Sequence, residues 1–157
     1  MKEDTMENSN EAIADSLKHL LSICNDGKEG YKNAAHNSDT GELKALFTTY
    51  SIQRAEFADK LRTVIREAGG DADNEWGDPL GALHRTWIDI KTALTSNDNK
   101  AVLDACITGE KAAIEAYDKA LEDDNLGLEV RQLVMQQRSQ IKEALQHINI
   151  LEHQYAS

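Results

Sequence analysis

The sequence predicts an all-α protein, a bundle of four long helices with one long connection between the second and third. Three observations carry this. Apolar residues recur every three or four positions over four long stretches. A single proline in 157 residues leaves little to punctuate short strands. Capping spacings and glycine stops fall between the stretches.

The first helix opens after Asn8–Glu11, a capping-box spacing. This leaves residues 1–9 as a disordered acidic tail ahead of one domain over 10–156. The apolar stripe reads Ile13, Leu17, Leu20, Leu21, Cys24, Tyr31, Ala34 and Ala35, and the helix ends near Asn37. Asp39 and Glu42 repeat the capping spacing and open the second helix. Its stripe of Leu43, Leu46, Phe47, Tyr50, Phe57, Leu61, Val64, Ile65 and Ala68 stops at Gly69-Gly70. The short link makes the two antiparallel neighbours.

After a polar loop over 71–77, Asp78-Pro79 starts an additional short helix, with proline where its missing N–H costs nothing. Leu83, Trp87 and Ile90 form the side that packs on the bundle. The third helix runs from about Asp98 to Leu121, with Val102, Leu103, Cys106, Ala113, Tyr117 and Ala120 inward. A turn around 123–127 leads to the fourth, with Val130, Leu133, Val134, Ile141, Leu145, Ile148, Leu151 and Tyr155 inward. Two tight hairpins joined by a connection that travels the bundle's length are the ferritin-like topology.

Charge narrows the partners. Lys and Arg number 17 against 28 Asp and Glu, a formal charge of −11, which argues against nucleic acid. An apolar fraction of 40% suffices for a core, yet no run is long enough to span a membrane. No signal peptide is evident, and Cys24 and Cys106 stand far apart on apolar stripes, as reduced core residues do. A cytoplasmic location is the expectation.

Polar residues on the stripes are the informative positions. Gln53, Glu110 and Gln137 interrupt the second, third and fourth helices near their middles. Together with Tyr31 and Tyr117 they predict a polar core layer, with Glu110 accepting from the two amides and tyrosine hydroxyls. On that reading Glu110→Gln is mild. The competing reading is a metal site, iron or another divalent ion, built from Glu110 with Glu29, His36 or His84. A di-iron bundle site needs Glu-x-x-His on two helices, and the chain has none. Asp71, Asp73 and Glu75 have the spacing that opens a calcium loop, but Trp76 and Ala82 stand where that loop needs Gly and Glu. Phosphate-loop, nucleophile-elbow and paired-cysteine motifs are absent.

The stretch from Asn25 through Asp26-Gly27-Lys28-Glu29-Gly30-Tyr31, with Ala34-Ala35, resembles the first helix of an uncharacterised bacterial family of ferritin-like four-helix bundles. Leu43 to Phe47 with Arg54 and Phe57 is similar to its second. The crossover stretch Gly81-Ala82-Leu83-His84-Arg85, with Trp87, Asp89-Ile90-Lys91 and Ala93-Leu94-Thr95, and then Gly109-Glu110, Ala112-Ala113 and Tyr117, extend the likeness. The resemblance implies a fold and no defined activity. Where relatives carry candidate metal ligands, this chain holds His36, Ile107 and Leu145, while Glu110 is kept. The expectation is therefore a non-catalytic bundle, stress-related or housekeeping, and self-associating as a homodimer. A metal protein with a reduced ligand set and a binder of small apolar ligands are the alternatives.

Overall fold

The computed structural model describes residues 2–72 and 98–156, and side chains within 10–72 and 98–155. All regular structure in these residues is helical: α1 (Lys2–Asn37), α2 (Gly41–Glu67), α3 (Asn99–Leu121) and α4 (Leu128–Ala156). The expected short helix of the connection, with Leu83, Trp87 and Ile90, lies outside the described residues, as does His84.

Each helix end has an identifiable cause. α1 starts at Lys2, ahead of the Asn8–Glu11 spacing, so that capping pattern sits inside the helix. At its other end the Ser38 hydroxyl donates to the Ala34 carbonyl (2.6 Å) and the Asn37 amide to that of Asn33 (2.8 Å). These satisfy carbonyls that the helix leaves unpaired. The N-cap of α2 is Thr40 rather than Asp39. Its hydroxyl accepts from the Leu43 N–H at 3.2 Å.

α2 stops where the paired glycines predict. Gly69 has φ +82°, and the Gly70 N–H returns to the Ile65 carbonyl at 2.9 Å. This is a Schellman motif, whose left-handed residue favours glycine. Asp98 caps α3, accepting from the Ala101 N–H at 3.1 Å. Arg131, on α4, donates to the carbonyls of Leu121 (2.8 Å) and Asp123 (2.7 Å), closing the end of α3 against the start of α4.

The apolar stripes meet in two clusters. One gathers Leu17, Leu20 and Leu21 of α1, Phe57, Leu61 and Ile65 of α2, Ala113 and Tyr117 of α3, and Val134 and Ile141 of α4. The other gathers Tyr31 and Ala34, Leu43, Phe47 and Tyr50, Val102, Leu103 and Cys106, and Ala144, Ile148 and Leu151. The start of α2 and the start of α3 thus share one end of the bundle, and their later turns share the other. The two helices run parallel, and residues 73–97 connect opposite ends. α2, at 27 residues, is about 40 Å long at 1.5 Å per residue, so the connection has a bundle's length to cover.

A buried ion pair and its candidate functional site

Between the two clusters the core turns polar. On α2 the inward stripe passes from Tyr50 to Phe57 through Arg54, which is 1% exposed. On α3 the corresponding place between Cys106 and Ala113 is Glu110, also 1% exposed. The side chains meet fork to fork: Arg54 Nη1 donates to Glu110 Oε1 at 2.7 Å and Nη2 donates to Oε2. Arg54 Nε donates to Gln53 Oε1 at 3.3 Å. The guanidinium also lies over the Tyr31 ring, with Cζ 5.6 Å from the centroid. Burial works against the Arg54 charge, but Glu110 outweighs it and holds the guanidinium's pKa above its ordinary value.

The expected donors to Glu110 are therefore replaced by one residue. Gln53 is half-buried and serves Arg54. Gln137 is buried and accepts from the Tyr117 hydroxyl at 2.7 Å, while its amide donates to the Phe57 carbonyl at 3.4 Å. Tyr117 Oη is also 3.1 Å from Cys24 Sγ, so α1, α3 and α4 are tied by one buried chain. Burial pushes the Cys24 thiol up to about 11 and the Cys106 thiol up as well, so both cysteines stay protonated and unreactive at neutral pH. The Tyr31 ring packs against Phe47 and Tyr50, with centroids 6.0 and 5.4 Å apart. Tyr50 Oη lies 3.3 Å from Nδ1 of the exposed His147.

Gln53 and Arg54 both fit a gap of three and four residues between Tyr50 and Phe57. Arginine is ordinarily placed in solvent, which favours the amide in a reading of the sequence. The signal for Arg54 was the buried carboxylate itself, since such a group needs a cation inside the same core.

The residues proposed for metal ligation do not converge. Glu29 is exposed and pairs with Lys28 at 3.8 Å, and His36 is exposed in the last turn of α1. Glu110 has both oxygens on Arg54. Among the described residues no three His, Cys, Asp or Glu side chains are grouped to hold an ion. Ile107 and Leu145, at two of the departures from the family pattern, are half-buried.

Fold and core together define a four-helix bundle with a salt-bridged middle. The family described as "Domain of unknown function (DUF2383)" matches residues 12–123, more than half of the chain, and the protein belongs to it. No curated protein matches the chain. No helix of the described residues is long and apolar enough to cross a membrane.

Proposed function

We propose that this protein is a non-catalytic, ferritin-like bundle that acts by association, in the first place with a second copy of itself. One observation carries the non-catalytic part: the carboxylate buried at mid-bundle is neutralised by an internal arginine in bidentate contact. A bundle metal site draws several carboxylates and histidines to that level. Here an arginine takes the position a cation would occupy. The parallel run of α2 and α3 supports the ferritin-like topology, and the buried, protonated cysteines suit a reducing cytoplasm.

Association is supported by the outer face of α4. Leu128, Met135 and Ile150 are 72, 54 and 59% exposed. At 100° per residue they fall within about 60° of one another, opposite Ile141 and Ile148. Light scattering is expected to give a dimer that Met135→Gln with Ile150→Gln converts to monomer; a monomeric parent would remove the association part. Elemental analysis of untagged protein tests the rest. Iron, manganese and zinc are each expected far below one per chain, and one or two equivalents retained through purification would overturn the non-catalytic reading.

A further inference from the structure

We propose that the groove between the last turns of α1 and the first turns of α2 binds a soluble organic phosphate, a phosphate monoester with a small apolar group. The groove has a volume of about 520 Å³, within the range of roughly 300–1,000 Å³ common for small-molecule sites. Lys32 and His36 enter it from α1, Lys44, Thr48 and Ile52 from α2, and none of its lining residues is acidic. In a chain where acids outnumber bases 28 to 17, that is a local inversion of charge. Lys32, His36 and Lys44 have no carboxylate partner among the described residues, although other lysines and arginines do.

The chemistry of the lining selects the ligand. Two ammonium groups carry the attraction, and His36 has an N–H donor in either protonation state. Thr48 donates its hydroxyl hydrogen to the Lys44 carbonyl at 2.7 Å, so it does not compete for the anion as a donor. The end of α1 and the start of α2 present opposite dipole ends, which largely cancel, so the lysines decide the sign. Ile52, 56% exposed at the groove, offers an apolar surface that bare phosphate leaves uncovered and an organic phosphate covers.

The test is an NMR titration of the isotope-labelled full chain with phenyl phosphate, inorganic phosphate and benzyl alcohol. Phenyl phosphate is expected to give saturable shifts confined to residues 32–36 and 44–52, with tighter binding than either of the others. Lys32→Glu with Lys44→Glu, both at exposed positions, is expected to weaken it at least about tenfold. Lys60→Glu with Lys142→Glu, which changes net charge equally away from the groove, is expected to retain it. Absent or scattered shifts, equal affinity for inorganic phosphate, or equal loss in both double variants would overturn the proposal. Co-sedimentation with phosphatidic-acid vesicles is expected to be negative. Binding there would assign the phosphate to a lipid headgroup and overturn the soluble source.

Discussion

Arg54 on α2 and Glu110 on α3 face each other across the centre of the bundle, each 1% exposed and joined by two parallel hydrogen bonds. Such a pair specifies register more than it adds stability. Desolvating two charges costs several kcal/mol, which the mutual attraction roughly offsets, whereas removing one partner strands the other.

This geometry reverses the expectation that Glu110→Gln is mild. The substitution leaves the Arg54 guanidinium buried without a counter-charge and should cost about 3–5 kcal/mol. Arg54→Met should cost a similar amount by stranding Glu110. Arg54→Met with Glu110→Leu should recover most of the loss, because neither charge is then buried. Urea unfolding of the parent, Arg54→Met, Glu110→Leu and the double variant measures the coupling, and strictly additive losses would refute it.

Tyr117 is the hub of the second polar chain. Tyr117→Phe removes the hydroxyl between Cys24 Sγ and Gln137 Oε1, leaving a buried amide oxygen without its donor. The expected cost is about 1–3 kcal/mol. Tyr117→Phe with Gln137→Leu should be less destabilising than the sum of the two changes, as a thermal denaturation series can show.

The two glycines that end α2 should respond for different reasons. At Gly69, φ is +82° and a Cβ meets nothing within 4 Å, so Gly69→Ala should cost about 1 kcal/mol of backbone strain. At Gly70 a Cβ would lie 2.8 Å from Ala14 Cβ and 3.0 Å from Ile65 Cγ2. Gly70→Ala must therefore shift α1 against α2, at about 1–3 kcal/mol. Gly70→Ala combined with Ala14→Gly should regain part of it, while Gly69→Ala combined with Ala14→Gly should not.

Alkaline pH should unfold the protein through groups that fold neutral. Burial raises Cys24 from 9.0 to about 11, and burial, then Glu110, raise Tyr50 from 10.0 to about 12. A folded state that holds its proton more tightly loses stability once the unfolded chain begins to ionise. These contributions are fully present below pH 9 and decline as pH rises from about 9 to about 12. Denaturation midpoints measured from pH 8 to 11 should fall, with a shallower decline between 9 and 11 in Cys24→Ala.

The sequence by itself determined the four helices, the glycine stop of α2, the start of α3 near Asp98 and most of the apolar core positions, the larger side chains above all. Periodicity and capping are local properties, and local spacing records them. It also marked Glu110 as an inward carboxylate. Only the tertiary structure decided what Glu110 pairs with, because Arg54 and Gln53 are adjacent and equally admissible on one helix wheel. The choice lies with the opposing helix, where a buried carboxylate selects the neighbour able to bring a positive charge. Likewise, nothing local shows that Lys32, His36 and Lys44 share a groove without an acid. That follows from α1 and α2 folding back on each other across the turn at Thr40.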